Sequence, residues 1–219
     1  MSVSIFIPIS NGIEYIHDSV TSVINQTHQE WELIIGINGH EENSKIYQQA
    51  KEYERKDPRI KVYDFHTIKG GKSETLNHML QFSNHDWISL LDVDDIWLPT
   101  KLESQIPWCF KYDVIGTQCK YFGDRNDEPK IPIGDFSSFD FFQVNPIINS
   151  SCLLKKELCY WDGSLKLEDY DLWLRLWKQK KQFYNVNTIQ VFHRIHRTSA
   201  FNSKGNGSQV PLLKQKFMY

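Results

Sequence analysis

Asp92, Asp94 and Asp95 stand within four positions of one another, directly after the apolar run Trp87 to Leu91. Like charges this close repel, so something must compensate them. In extended backbone Asp92 and Asp94 project to one face, because strand side chains alternate with period two. Two hard oxygen ligands on one face suit Mg²⁺ or Mn²⁺, which take one or two carboxylates and complete their shell with water and substrate phosphate. The plainer use of Asp94 and Asp95 is as turn and cap residues ahead of the helix that Pro99 opens. Asp95 taken alone reads as structural. A second acidic group, Glu168-Asp169-Tyr170-Asp171, heads the helical stretch "EDYDLWLRLWKQ". Acids are favoured in a first helical turn by the macrodipole, which also predicts lowered carboxyl pKa values there.

The elements that must position these residues alternate. "VSIFIPI", "WELIIGIN", "IKVYDF" and "WISLL" are apolar throughout and read as strands. Between them, Ile13 to Asn25, Glu41 to Arg55 and "SETLNHMLQF" read as helices, the second ended by Asp57-Pro58. Ser73 is the expected N-cap of the third. Strands apolar on both faces and separated by helices imply a parallel sheet covered on both sides. Ligands of such sheets bind at the carboxyl ends of the strands, where the aspartates lie. Beyond Pro99, a helix from Thr100 to Phe110 and a strand "DVIGTQC" precede a weakly patterned region from Gly123 to Pro146. "IINSSCLL" then predicts a strand, followed by the helix and a last strand, "TIQVFHR". Residues 202 to 208 read as a flexible loop ahead of a short, solvated tail that includes Lys214, Lys216 and Phe217. The expectation is one α/β domain over 1–219: a Rossmann-like nucleotide-binding half (about 1–98), an acceptor and catalytic half (about 99–200) with a mixed central sheet, and a loop and tail (201–219).

The 219 residues suffice for a substantial core, and the net charge of −2 speaks against a general nucleic-acid binder. No apolar run is long enough for a transmembrane helix, and "MSVSIFIPIS" lacks the basic start of a signal peptide. A cytoplasmic location is therefore expected, with peripheral contact to a membrane as a second option. The four cysteines (Cys109, Cys119, Cys152, Cys159) form no CxxC pair and read as reduced thiols. Sequons at Asn25, Asn149 and Asn206 carry no weight without a secretion signal. Asp171 and Arg175 stand at i,i+4 as an expected surface pair. Trp173, Leu176 and Trp177 share a face that reads as core. Trp161 has two readings, a platform for a sugar ring or a core tryptophan.

Taken in order, "VSIFIPISN", "SVINQTHQEWELIIGING", "GGKSETLN", "WISLLDVDDIWLPTKLESQ", "LEDYDLWLRL" and "HRIHRTSA" resemble the inverting family-2 glycosyltransferases of the GT-A fold over nearly the whole chain. The resemblance implies a hexosyltransferase-type enzyme of polysaccharide biosynthesis. Its donor would be a nucleotide sugar, most simply a UDP-sugar. Its acceptor would be a hydroxyl of a glycan or glycoconjugate, and its cofactor Mn²⁺ or Mg²⁺. The family's DxD motif falls on Asp92-Val93-Asp94, which places Asp94 on the metal and Asp92 on the ribose or the metal's water shell. "RIHRTS" matches the element that supplies a metal-binding histidine, making His196 the candidate and His193 the fallback. Asp169 matches the family's base position, with Glu168 beside it. Ile9, Ser10, Asn38, Gly71 and Lys72 would line the nucleotide. Gly70 and Gly71 would allow close backbone approach, and Lys72 would meet a phosphate or the base.

One departure stands out. Where the family often carries an acidic pair after the second strand, this chain has Ile37 and Asn38 within "GINGH". Asn38 still offers one acceptor and one donor to a pyrimidine edge, but the nucleotide preference is open. That departure is also the best support for a rival, a catalytically silent nucleotide-sugar-binding or interaction domain of the same fold. A DxD phosphohydrolase is a weaker rival, since its phosphoryl-accepting aspartate is normally followed by a small hydroxyl residue and Asp95 is followed by Ile96. The chain is short for the family, which allows it to be one domain of a longer polypeptide.

Overall fold

Apolar strands need cover on both faces, and the computed structural model provides it on either side of one mixed sheet. It describes residues 1–69, 71–164, 166–197 and 206–218. Strands β1 (Val3–Ile9), β2 (Trp31–Asn38), β3 (Ile60–Phe65) and β4 (Trp87–Leu90) pair in parallel in the order β3-β2-β1-β4. Helices α1 (Ile16–Ile24), α2 (Lys45–Lys51) and α3 (Lys72–Met79) connect them. Ile5, Ile7 and Ile9 of β1 face a core shared with Ile16, Val20 and Ala50, while Phe6 faces Leu76 and Met79 on the other side. Each fully buried aliphatic or aromatic side chain contributes about 1.5–3 kcal/mol. The two-sided pattern therefore fixes which face each helix covers.

The second half extends the sheet through β5 (Ile96–Trp97), β6 (Val114–Gly123), β7 (Gly134–Asp135), β8 (Leu153–Lys155) and β9 (Phe183–Ile195), in the order β4-β8-β6-β9-β5 with β7 on β9. β8 runs antiparallel to both β4 and β6, and β6 runs parallel to β9. Leu153, the first residue of β8, thus pairs with Ser89 near the carboxyl end of β4 and with Ile115 at the start of β6. Helices α4 (Lys101–Gln105) and α5 (Glu168–Lys178) complete this half.

Several expectations change. The stretch 147–154 is not one strand: Asn149–Ser151 forms a 3-10 turn before the short β8, because the polar trio bonds to neighbouring loops rather than to a ladder. The stretch 100–110 holds only the short α4 and a 3-10 turn at Ile106–Trp108, with Pro107 breaking the ladder. Ser73 does not cap α3; Gly71 occupies that position, and the Ser73 hydroxyl donates to the Asp162 carbonyl at 3.4 Å. The expected loop and tail contain a helix, α6 (Asn206–Lys216), with Leu213 buried and Val210 and Phe217 packed on the core. Of the predicted loop, 206 to 208 lie in that helix, and 202 to 205 lie outside the described residues. The four cysteines are free thiols, three of them buried.

Candidate active site

The aspartates do not lie on extended backbone. After β4 the chain turns, with the Asp95 amide donating to the Asp92 carbonyl at 3.0 Å, and each carboxylate finds its own partner. Asp95 is fully buried. It accepts from the Ser150 hydroxyl at 2.5 Å, from the Arg194 amide at 2.8 Å, and pairs with His193 Nδ1 at 2.8 Å. It is the structural tie between the turn after β4 and the end of β9. Burial works against a charged His193, but the Asp95 carboxylate outweighs it and holds the imidazole up at about 9.

Asp92 and Asp94 face different neighbours. Asp92 pairs with Lys72 at the head of α3 and accepts from Asn149 Nδ2 at 3.1 Å, while its amide donates to Ser150 Oγ at 3.0 Å. Burial would raise its pKa, yet the Lys72 ammonium holds it below the usual carboxylate value. Asp94 behaves in the opposite way. Burial, then the charges of Asp95 and Asp92, raise its pKa. His196 Nε2 lies 3.0 Å from Asp94 Oδ2, and its ring sits 5.6 Å from that of Tyr15. His196 is thus in contact with Asp94 of the DxD motif, and His193 with Asp95.

Lys72 also brings in the second acidic group, with its Nζ 3.9 Å from Glu168 Oε1. Glu168 is the first residue of α5 and Asp169 the second. Asn145 Nδ2 donates to Asp169 Oδ2 at 2.9 Å. The macrodipole does not win here. Burial raises the pKa of Asp169 against the Asn145 hydrogen bond, and burial likewise raises Glu168 against the charge of Lys72. A raised pKa makes Asp169 a stronger base than a first-turn carboxylate would otherwise be.

The nucleotide candidates lie at the ends of β1 and β2, but unequally. Ile9 is fully buried in the core and Val93 nearly so, so neither offers its side chain; Ser10 is exposed beside Ile9. Asn38 ends β2 and is 3 % exposed. A Cβ built on Gly71 meets nothing within 4 Å among the described residues, so they leave space open beside Lys72. Trp161 is core, only 1 % exposed, and its backbone exchanges hydrogen bonds with the Asn77 side chain at 2.8 and 3.0 Å. Asp171 is not a surface partner of Arg175. It is 2 % exposed, with Lys216 Nζ at 2.6 Å and Arg175 at 3.5 Å. Sequence reasoning missed Asn145, Asn149 and Ser150. Their only signal was polarity, in "VNP" and "INSS", where apolar residues surround them.

Among the described residues, no three His, Cys, Asp or Glu side chains converge to hold a metal by themselves. The Asp94–His196 pair nevertheless offers one oxygen and one nitrogen donor side by side, a set that fits Mn²⁺ or Mg²⁺ completed by phosphate and water.

The family model described as "Glycosyl transferase family 2" matches residues 4–160, most of the chain. The protein belongs to glycosyltransferase family 2. Its likeness to the O-antigen biosynthesis glycosyltransferase WbnJ of Escherichia coli is 28% identity over 213 residues, 92% of this chain and 82% of that protein. It is also 28% identical over 211 residues to UDP-Glc:alpha-D-GlcNAc-diphosphoundecaprenol beta-1,3-glucosyltransferase WfgD of Escherichia coli, covering 92% of this chain and 80% of WfgD. The fold matches that of S. aureus TarS in complex with UDP-GlcNAc, with a TM-score of 0.77 at 16% identity; the match covers 93% of this chain and 61% of TarS. The fold is therefore GT-A, and this family-2 glycosyltransferase uses a nucleotide sugar in glycan biosynthesis. Among its described residues no helix is long and apolar enough to cross a membrane.

Proposed function

We propose that the protein is a metal-dependent, inverting glycosyltransferase that moves a sugar from a UDP-sugar to a hydroxyl of a glycan or glycoconjugate. One observation carries this reading. Lys72 pairs with Asp92 of the DxD motif and stands 3.9 Å from Glu168, which brings the donor-binding carboxylates and the base helix into one site. The printed names of two similar proteins support a UDP-sugar: WfgD is named for UDP-Glc, and TarS was solved with UDP-GlcNAc. Support for a metal comes from a mannosyltransferase of Pyrobaculum calidifontis solved with GDP-Man and Mn²⁺, whose fold matches at a TM-score of 0.70 and 10% identity.

Asp94 and His196 would hold the cation. Bound there with the donor, it supplies Lewis-acid stabilisation to the charge that grows on the departing diphosphate. The chain's own residues do the rest. Lys72 lies where it can meet a phosphate oxygen while keeping Asp92 ionised. Asp169 accepts the proton of the acceptor hydroxyl, whose oxygen forms the new bond to the anomeric carbon. The bond from that carbon to the diphosphate breaks on the opposite face, its electron pair staying on the leaving oxygen, and the configuration inverts.

The test is a panel of nucleotide sugars incubated with the protein in Mn²⁺, in Mg²⁺ and in EDTA, with release of nucleoside diphosphate as readout. The reading requires metal-dependent release from a UDP-sugar, lost at least 100-fold in Asp94→Ala. Release unaffected by EDTA would overturn the metal assignment. UDP binding with no turnover on any acceptor would favour the silent domain, to which the replacement of the acidic pair by Ile37 and Asn38 points.

A further inference from the structure

Asn145 is the residue in contact with Asp169 that neither the family motifs nor the donor chemistry explains. Its Nδ2 donates to Asp169 Oδ2 at 2.9 Å, yet its own Oδ1 is buried with no hydrogen-bond partner among the described residues. A buried, unpaired carbonyl oxygen is costly and usually marks a place that a ligand or water completes.

The fold takes trouble to put it there. Pro146 restricts Asn145 to extended backbone. The Pro146 carbonyl accepts from Asn185 Nδ2 at 3.0 Å, and the same amide group donates to the Pro132 carbonyl at 2.9 Å, so a buried side chain of β9 grips the loop at two points. Asn185 in turn needs Gly116 on the neighbouring strand, where an added Cβ would lie 2.1 Å from Asn185 Oδ1. From the other side, the Tyr170 hydroxyl, next along from Asp169, donates to the Phe141 carbonyl at 2.6 Å. The weakly patterned loop is thus fastened to β9 and to the base helix, with Asn145 between the two fastenings.

We infer that Asn145 is a positioning and acceptor-reading residue: its amide fixes the base carboxylate, and its free carbonyl takes a hydrogen bond from a hydroxyl adjacent to the one Asp169 deprotonates. The inference rests on the proposed role of Asp169. With the Asp169 carboxylate accepting from one hydroxyl and the Asn145 carbonyl from its neighbour, the two acceptors held side by side match adjacent hydroxyls of a pyranose better than a lone hydroxyl. It assigns to this loop a preference for acceptors with a vicinal diol.

The experiment compares wild type, Asn145→Asp and Asn145→Leu, both close in size to asparagine. The readout is the pH dependence of Mn²⁺-dependent UDP-sugar hydrolysis, with water as acceptor, alongside a panel of methyl pyranosides and their monodeoxy forms. The groups that face Asp169 are Lys72 from α3, Glu168 on its own helix and Asp92 from the turn after β4. All three are unchanged in the variants, so a shift belongs to position 145. Loss of the amide donor moves the acid limb of kcat to higher pH, further in Asn145→Asp than in Asn145→Leu, with kcat at neutral pH down at least tenfold and the UDP-sugar KM within twofold. On the pyranoside panel, removing the adjacent hydroxyl lowers wild-type kcat/KM at least tenfold and that of Asn145→Leu less than threefold. An acid limb that stays put in both variants overturns the inference, as does a change confined to thermal stability. Absence of turnover in the wild type would instead refute the proposed function.

Discussion

At the scale of single residues, the candidate site is a set of carboxylates whose ionisation is set separately by their neighbours. Lys72 lowers Asp92, while burial and two like charges raise Asp94. Asp95, the nearest in sequence, is removed from the chemistry altogether by Ser150, His193 and the Arg194 amide. Gly71 gives a residue-scale prediction. Its φ of −77° is ordinary, and a Cβ there would meet nothing within 4 Å among the described residues, so their packing does not require a glycine at this position. If that space is for the donor, Gly71→Ala leaves unfolding free energy within about 1 kcal/mol but raises the UDP-sugar KM at least fivefold. Denaturant unfolding and initial-rate kinetics measure the two, and an unchanged KM would remove Gly71 from the donor site. The acidic residues were legible in the sequence because their types and their place after a strand or at a helix start are local facts. Their different surroundings were not, since Asp94 and Asp95 are adjacent and differ in partners that come from far along the chain: His196 for Asp94, and Ser150, His193 and the Arg194 amide for Asp95.

At the scale of elements, the strands and helices of the first half were readable because each is a continuous apolar run or an amphipathic stretch. The second half was readable only in part. β8 has three residues and β5 two, lengths at which pattern carries almost no information. The loop to Pro146 is held by side-chain hydrogen bonds from Asn185 and Tyr170, which leave no periodicity. α6 escaped notice because Pro211 lies inside it and its sequence is polar, so its docking depends on Leu213 and on Lys216 bridging Asp162 and Asp171. The Gly116–Asn185 contact tests this view of the loop. In Gly116→Ala the new methyl would displace the Asn185 amide, costing roughly 1–3 kcal/mol of stability and releasing the Pro132 and Pro146 carbonyls. Turnover should fall by a larger factor than donor binding does, as read from thermal melts, kcat and Kd for UDP. Equal losses in both would mean that the loop serves stability alone.

At the scale of the whole molecule, one charge is set deep in the core. Lys101 is fully buried, donating from Nζ to Ser89 Oγ at 2.7 Å with no carboxylate partner among the described residues. Burial pushes its pKa down to about 7, while the Trp97 ring face 3.8 Å away favours the charged form. Unfolded lysine titrates near 10.4. Between pH 7 and that value the unfolded chain therefore binds the extra proton, and stability from this group rises with pH by at most about 1.4 kcal/mol per unit. His193 acts in the opposite sense. Its pKa is raised to about 9, so its contribution is complete below about pH 6.5 and is lost as pH climbs through 9. The difference between wild type and Lys101→Met isolates the lysine. The variant should be the more stable at pH 7, with the gap narrowing toward pH 9.5 in denaturant melts. A gap independent of pH would mean that Lys101 stays charged in the fold. The sheet order, with β8 reversed between parallel neighbours, is also a property of the whole. It follows from long connections that local sequence does not encode, and it sets Asn149 and Ser150 beside Asp92.

In the proposed mechanism donor activation and proton removal are done by separate carboxylates, with Asp169 as the base. The most direct measurement sets Asp169→Asn beside wild type, following transfer from a UDP-sugar and, by calorimetry, binding of that UDP-sugar in Mn²⁺. With Asp169 as the base, kcat falls by at least 1,000-fold, about 4 kcal/mol of barrier, while metal-dependent donor binding stays within threefold of wild type. Near wild-type turnover in Asp169→Asn, or loss of donor binding in step with the rate, would contradict it.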